Sequence, residues 1–274
     1  MAYENFKPII WSKKVLLDLE KQMVMRQICN TNYEGEVGRG KTVRIICAAR
    51  PTVRTYVPGT AIVTPEQPPD DDVLLPVDQY KYFNISVDDV DAAQADVNIM
   101  SAYAEAGALA MAEEADTCLA KLVAGGSNKL TKTDAIATEE AALKALREAF
   151  VMLWNAGVKI GPNTYIGMSP WFYDLVKNAL QSDLTNNEEM IKRGIIGTYN
   201  GAKVLMSNNL HNDGTYDNLF VAHKNAVTFA DGIEEIEAYR PESSFSDAIK
   251  CLHTFGAKIV RPKEIVTLQV KQAV

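Results

Sequence analysis

The stretch from residue 87 to residue 123 reads VDDVDAAQADVNIMSAYAEAGALAMAEEADTCLAKLV, and a pair of glycines follows it closely. Small and apolar residues recur along it at steps of three and four, the spacing of one face of an α-helix. Ser86 supplies a capping residue, and Asp88 and Asp89 supply acids for the first turn. The pattern predicts one helix on the order of 50 Å long, whose alanine-rich stripe allows close packing, most simply against a sheet. The stripe consists of Val90, Ala93, Val97, Met100, Ala104, Ala108, Met111, Ala115, Cys118 and Leu122.

The composition excludes several classes of protein. The chain has 274 residues, with 28 Lys and Arg against 35 Asp and Glu and a net charge of −7. An acidic chain with no basic run is poorly suited to binding nucleic acid by itself. Cys29, Cys47, Cys118 and Cys251 are far apart in apolar surroundings, which predicts buried free thiols in a reducing compartment. No run is long enough to span a membrane and the start carries no signal-peptide core, so we expect a cytoplasmic protein.

Residues 1–34 predict an amphipathic arm. The segment begins irregularly, and Ser12 then caps a helix. A short helix cannot bury its apolar side alone, so we expect the arm to lie on another part of the protein or on a neighbouring subunit. The apolar positions of this helix include Ile10, Leu17, Val24 and Ile28.

Residues 35–42, GEVGRGKT, fit the pattern of a phosphate-binding loop. That loop binds phosphate because a strand precedes it and a helix follows it. Here a predicted helix comes first, and the alternating, β-branched residues 42–47 predict a strand afterwards. We therefore interpret the glycines as a turn that enters a hairpin, with a nucleotide site as the weaker interpretation.

Residues 35–85 predict a long excursion with little core of its own. A strand at 42–49 leads out and a strand at 79–87 returns, and six of the 11 prolines lie between them. Proline suits edges and turns because it cannot donate a hydrogen bond to a sheet. The excursion nevertheless carries apolar residues, which indicate burial against another subunit. The candidate inter-subunit contact residues are Arg54, Tyr56, Val57, Ile62, Val63, Leu74 and Leu75 in the excursion and Trp11 in the arm.

The remainder of the chain alternates helices and strands. After a polar link at 125–137, Thr138 caps one helix and Pro170 opens another, with a strand at 164–168 between them. We expect a compact α/β unit over 127–225 and a strand-rich C-terminal part. The C-terminal strands are predicted at 226–229, 233–239, 248–255, 257–260 and 265–270.

No catalytic or metal-binding constellation stands out in the sequence. The three histidines lack the spacing of a metal site, and no Gly-x-Ser-x-Gly elbow occurs. Asp70, Asp71 and Asp72 are more typical of a solvated loop than of a metal site. A cysteine hydrolase built on Cys29 and a distant histidine is a remote alternative. We predict no enzyme activity, no cofactor and no metal.

The order of these features resembles a known family. An arm, a Gly-x-Thr-Val strand entry at 40–43, a proline-rich excursion and DQYKYFNISVDD at 78–89 lead into the long alanine-rich helix. Further matching segments are GIIG at 194–197, SNNL at 207–210, FSDA at 245–248 and GAKIVRP at 256–262. Together they resemble the major coat protein of tailed phages with the Hong Kong 97 type of fold.

This resemblance implies an α+β fold of the Hong Kong 97 type in four parts. The parts are an N-terminal arm (1–34), an extended β-hairpin loop (35–85), a peripheral domain with the long spine helix and a sheet (86–126 and 226–274), and an axial domain (127–225). In that family the extended loop reaches over the neighbouring subunit. The axial domains gather around the five-fold and six-fold axes.

The function implied by the resemblance is that of a major capsid protein. Its subunits are expected to self-assemble as hexamers and pentamers into an icosahedral or elongated phage head that encloses double-stranded DNA without sequence-specific binding. The implied partners are a separate scaffolding protein and a portal, with no membrane and with assembly in the host cytoplasm. The alternatives are an encapsulin-like shell of a cellular compartment and an unrecognised cytoplasmic enzyme. Because the coat-like arm begins near Met1, we also expect that maturation removes no N-terminal segment.

One departure from the family's type member concerns covalent crosslinks. In that phage a lysine on the extended loop bonds to an asparagine on a neighbouring peripheral domain, with a glutamate assisting. Here residues 50–76 contain no lysine, and residues 226–274 contain no asparagine. Arg50 and Arg54 stay protonated and are poor nucleophiles. The sequence therefore predicts a shell that is held by non-covalent contacts.

Overall fold

The computed structural model describes residues 25–32, 42–47, 52–56, 58–59, 61, 71–88, 99–182 and 197–273. The strands are β1 (Cys29–Asn30), β2 (Val43–Cys47), β3 (Asp71–Leu75), β4 (Gln79–Asp88), β5 (Lys129–Ile136), β6 (Thr164–Met168), β7 (Thr198–Tyr199), β8 (Ala202–Met206), β9 (Asp217–His223), β10 (Val227–Tyr239), β11 (Ser246–Ile259) and β12 (Ile265–Gln272). The α-helices are α1 (Ile99–Ala124), α2 (Glu139–Asn155) and α3 (Pro170–Ser182). Short 3-10 helices cover Met25–Ile28 and Pro262–Glu264.

The described strands form three sheets. A four-stranded sheet has the order β1-β10-β11-β4, a six-stranded sheet has the order β5-β12-β9-β6-β8-β7, and β2 pairs with β3 alone. Alternation along β9 shows how the layers stack, because successive side chains of a strand point to opposite faces. Phe220 and Ala222 join a core with α1 and the four-stranded sheet, whereas Leu219 and Val221 join a core with α2 and α3. Helix α1 therefore lies between the two larger sheets.

The alanine-rich stripe of α1 packs closely against the four-stranded sheet. Ala104, Ala108, Met111 and Ala115 are all buried, as the helical spacing predicts. At Gly107 the approach is closest, because a Cβ placed there would lie 2.9 Å from the ring of Phe83 on β4. Small residues on the helix thus let the sheet come near, which confirms the packing expected from the sequence.

The predicted start of the long helix at residues 86–88 is wrong. Ser86, Val87 and Asp88 belong to β4 and pair with β11 in register with Ala248, Asp247 and Ser246. The hydrogen-bonded ladder and the burial of Val87 outweigh the local capping signal, which is a weak preference beside tertiary pairing. Helix α1 is described from Ile99, and its 26 residues span about 39 Å. Residues 89–98, which the prediction also included, lie outside the described residues.

The predicted return strand of the hairpin is also wrong. Strand β2 pairs with β3, from Val43 opposite Leu75 to Cys47 opposite Asp71. Strand β4, which was expected to pair with the outgoing strand, is instead the edge strand next to β11. The hairpin therefore closes before Pro76, which cannot continue a ladder as a hydrogen-bond donor.

Two strands of the six-stranded sheet were misassigned from the sequence. The polar link at 125–137 contains β5, an edge strand that pairs parallel to β12. Strand β12 was expected with the spine helix and its sheet, but it lies between β5 and β9. Val266, Leu268 and Val270 explain this placement, since they alternate along β12 and complete the core beneath α2.

Other expectations in the C-terminal half are confirmed. The Thr138 hydroxyl accepts a hydrogen bond from the Ala141 amide at 3.3 Å and caps α2, and α3 begins at Pro170. The four strands predicted between residues 226 and 260 merge into two long ones, β10 and β11. Residues 230–232, where the prediction broke β10, are paired with β11 without interruption, and the register shifts only later, between Ile233 and Glu235.

Candidate functional site: the extended loop and its root

Because β4 belongs to the four-stranded sheet, the extended loop ends at residue 75, and its described residues present apolar side chains to solvent. Val53 is 95% exposed and Tyr56 is 64% exposed, and Arg54 between them is also exposed. On the returning strand β3, Leu74 is 50% exposed. Large apolar groups held in water on a two-stranded hairpin are typical of a surface that another molecule covers.

Three of the predicted contact residues, Arg54, Tyr56 and Leu74, are accessible in the way a contact residue must be. Leu75 is a correction, because its side chain is fully buried inside this subunit. Alternation along β3 places Leu74 outside and Leu75 inside. The remaining candidates lie outside the described residues: Trp11, Val57, Ile62 and Val63.

The root of the loop rests on the protein's own four-stranded sheet. Ile45 of β2 and Leu75 of β3 form a small core with Ala230 of β10. Lys258 of β11 donates a hydrogen bond from Nζ to the Leu74 carbonyl at 2.9 Å. The base of the hairpin is therefore fixed to the subunit, while the described residues 52–56 are exposed.

The edge strand β4 carries a row of exposed tyrosines that sequence reasoning missed as candidate contacts. Tyr80 is half exposed and Tyr82 is 78% exposed on the face that points away from α1. Beyond them, the Asn84 amide donates a hydrogen bond to the Tyr239 hydroxyl at 2.9 Å. The signal was present in the sequence, since QYKYFNIS alternates and an aromatic residue at every second position predicts one aromatic face. Assigning this strand to the hairpin concealed the face.

The described part of the arm, residues 25–30, is docked on this subunit by buried polar contacts. Met25 donates its amide hydrogen to the buried carboxylate of Asp116 on α1 at 3.2 Å. Arg26 Nη1 lies 3.4 Å from Asp231 Oδ2 on β10, and His253 Nε2 on β11 lies 2.5 Å from Asp231 Oδ1. The predicted arm helix included Ile28, but Met25–Ile28 forms a 3-10 helix with Ile28 buried in this subunit, and the part of the prediction before residue 25 lies outside the described residues.

The ionisable groups between β4 and α1 show no sign of an activated nucleophile. Lys81 Nζ lies 2.6 Å from Glu114 Oε1, and this hydrogen bond raises the pKa of Lys81. Burial raises the pKa of the Cys118 thiol on the same helix. At neutral pH the amine therefore stays protonated and the thiol stays neutral, so both are poor nucleophiles.

The described residues offer little to a small ligand. An open cleft of about 700 Å³ lies at the end of α2, and Lys263 is the charged residue among those that line it. No three His, Cys, Asp or Glu side chains of the described residues are grouped to hold a metal ion. Within the same residues, no helix is long and apolar enough to cross a membrane. Strand β2 follows Thr42 where a phosphate-binding loop needs a helix, and residues 35–41 lie outside the described part.

The sequence and the structure match phage capsid proteins. A family model described as "Phage capsid protein" matches residues 70–268. No curated protein matches the sequence. The structure is similar to a solved chain from Mycobacterium phage Che8, with 28% sequence identity, a TM-score of 0.78, and coverage of 90% of this chain and 91% of that chain.

More distant solved structures share the fold alone. A chain in the capsid structure of the cyanophage P-SCSP1u has 15% identity and a TM-score of 0.69, over 92% of this chain and 89% of that chain. A virus-like particle from Pyrococcus furiosus has 14% identity and a TM-score of 0.61, over 93% of this chain and 96% of that chain. These likenesses confirm the predicted α+β fold of the Hong Kong 97 type. The family match favours a phage capsid over an encapsulin-like cellular shell, so the chain belongs to the phage capsid protein family and is a structural subunit of a phage head.

Proposed function

We propose that each subunit buries the tip of its extended loop against a neighbouring subunit and thereby ties the shell together. The observation that carries this proposal is the contrast between the two ends of the hairpin. Its root is cored by Ile45, Leu75 and Ala230, whereas Val53 and Tyr56 nearer the tip are exposed. Contacts made by such an extended element add to an interface beyond what two compact bodies share.

The proposed division of the subunit follows its sheets. The peripheral domain comprises α1 and the four-stranded sheet, and the axial domain comprises α2, α3 and the six-stranded sheet, including β12. Hexamers and pentamers would form around the axial domains. The loop and the part of the arm before residue 25 would then extend from the peripheral domain to neighbouring subunits.

The proposed partners are a separately encoded scaffolding protein, a portal, and packaged double-stranded DNA. The net charge of −7 supports a shell that encloses DNA without binding it tightly, because tight binding to phosphates requires many basic groups. Assembly would take place in the host cytoplasm. We propose that the role is structural and that the protein catalyses no reaction.

Loop variants test the proposed contact. We expect a Val53→Ser, Tyr56→Ala double variant to fold like the unaltered chain, because both side chains are exposed in the subunit. Shell yield, measured by sedimentation and electron microscopy, should fall at least ten-fold, because the burial of both side chains at the contact is lost. Tyr56→Phe is the matched control and should assemble normally, since it keeps the ring. Normal shells from the double variant would show that the tip makes no important contact.

A further inference from the structure

The segment that connects the extended loop to the four-stranded sheet crosses β11 in very close contact with its backbone. Residues 76–78 link β3 to β4, and they pass directly over Gly256 of β11. A Cβ at Gly256 would lie 2.1 Å from the Pro76 carbonyl oxygen and 2.8 Å from the Val77 Cα. Both are backbone atoms, so no side-chain rotation relieves the overlap. Glycine is therefore the residue that lets the chain cross at this height.

The crossing is held on several sides. Gly256 pairs with Ala230 of β10, so two small residues form a notch in the sheet beneath the chain. Leu75 packs against Ala230 in this notch. Lys258 donates to the Leu74 carbonyl at 2.9 Å, and the Tyr80 hydroxyl donates to the Val77 carbonyl at 3.2 Å. These contacts fix both the height and the direction of the chain where the loop leaves the body.

We infer that Gly256 is a positioning residue for shell assembly, because it sets the direction in which the extended loop leaves the subunit. The inference rests on the proposed contact between the loop and a neighbouring subunit. At Gly256, strand β11 is paired with Ala230 of β10, and the preceding residue, Phe255, is paired with Gln79 of β4, so this part of β11 cannot easily retreat from an added methyl group. The crossing chain must rise instead, by about 1 Å to reach a tolerable contact.

A small rise at the root becomes a large displacement at the tip. The chain between β2 and β3 comprises residues 48–70, and half of this length reaches roughly 35 Å at full extension. On a lever of that length, a tilt of about 10° at the root would move the tip by roughly 6 Å. An interface loses its complementarity at such a displacement, because packed surfaces tolerate shifts well below a side-chain width.

The experiment compares Gly256→Ala with Gly232→Ala. Gly232 lies in the neighbouring strand β10, and a Cβ there would lie 3.7 Å from Thr254 Oγ1, an ordinary contact. We expect Gly232→Ala to form shells of normal diameter and yield. Gly256→Ala should keep its circular dichroism spectrum but lose shell yield at least ten-fold or form particles of altered diameter. Faster hydrogen exchange should be confined to residues 43–47 and 71–78.

Two further variants separate positioning from simple loss of stability. Val176→Ala removes buried volume in α3, far from the loop root, and should give shells of normal diameter even if fewer of them form. Lys258→Met removes the hydrogen bond to Leu74 at a partly exposed position and should lower shell yield two- to five-fold. If Gly256→Ala does not fold, the shell yield of Lys258→Met tests the inference in its place.

The results distinguish a failure of this inference from a failure of the proposed function. Normal shells from Gly256→Ala, or from Lys258→Met where Gly256→Ala is unfolded, overturn the inference and leave the proposed function intact. Normal shells from the Val53→Ser, Tyr56→Ala double variant refute the proposed loop contact, and this inference with it.

Discussion

At the scale of single residues, Cys251 shows how burial sets the behaviour of a titratable group in this core. Its side chain is sealed in the core between α1 and the four-stranded sheet. Burial raises the pKa of the Cys251 thiol to about 11. Because the folded pKa lies above the unfolded value, the folded state retains its proton at pH values where the unfolded chain loses it. This contribution to stability is fully present below pH 9 and is lost as the pH rises towards 11.

Cys251→Ala should therefore weaken the pH dependence of stability in the alkaline range. In the unaltered chain, this thiol should account for about 2–3 kcal/mol of the fall in the free energy of unfolding between pH 9 and 11. Denaturant titrations at both pH values measure the fall in each variant. Ile249→Val is the control, since it removes a methylene from the same strand without removing a titratable group. Equal falls in the Cys251→Ala variant and the unaltered chain would contradict this account.

At the scale of elements, an ion pair with the four-stranded sheet helps to hold the segment over residues 25–30. The Asp231 carboxylate lies beside Arg26 of this segment and His253 of β11. The side chain of Asp231 is only 11% exposed. Removing the carboxylate takes away the charge that Asp231 contributes beside this largely buried arginine, which is costly. The segment therefore has an identifiable latch in addition to its apolar contacts through Met25 and Ile28.

We predict that Asp231→Asn lowers the free energy of unfolding by about 3 kcal/mol and loosens residues 25–30. Hydrogen exchange measures the loosening, and denaturant titration measures the loss. Asp247→Asn is the matched control because its partner Arg240 is 3.8 Å away at the surface, where an ion pair contributes about 0–1 kcal/mol. A loss no larger than that of the control would refute the latch.

Elements with regular spacing and strong caps could be predicted from the sequence. The stripe of α1, the Thr138 cap of α2 and the Pro170 start of α3 all depend on residues within a few positions of one another. The start of α1 could not be predicted, since residues 86–88 carry helix signals that pairing with β11 overrides. Strand β12 was misplaced for the same reason, because its neighbours β5 and β9 are distant in sequence.

The candidate site was predicted in part. Proline content and isolated apolar residues identified the loop and its exposed residues Arg54, Tyr56 and Leu74. The sequence did not distinguish Leu74 from Leu75, because which face of β3 is buried depends on Ile45 and Ala230 beneath it. The role of Gly256 was equally hidden, since the chain that crosses it lies far away in sequence.

At the scale of the whole molecule, the outer part of the loop and the C-terminal strands lack the reacting groups that the type member uses for covalent crosslinks. The loop from residue 50 to residue 76 contains no lysine, and residues 226–274 contain no asparagine. Lys81, near the base of the loop, is held protonated by Glu114, which raises its pKa. An amine must be neutral to attack a carboxamide.

We therefore predict that shells boiled in detergent run as a single band near 30.2 kDa. We expect a single band because only non-covalent contacts hold the subunits together, and boiling in detergent disrupts such contacts. Denaturing electrophoresis with and without reducing agent makes the measurement, and mass spectrometry of the band supports it. A ladder of covalent oligomers that resists reduction would show that another pair of groups reacts.

Negative-stain electron microscopy of the purified protein shows whether this chain is a shell subunit. We expect closed shells or ring-shaped capsomers, formed alone or with a scaffolding protein co-expressed, because the exposed loop needs neighbours to cover it. A stable, monodisperse monomer under both conditions would show that the chain is not a shell subunit.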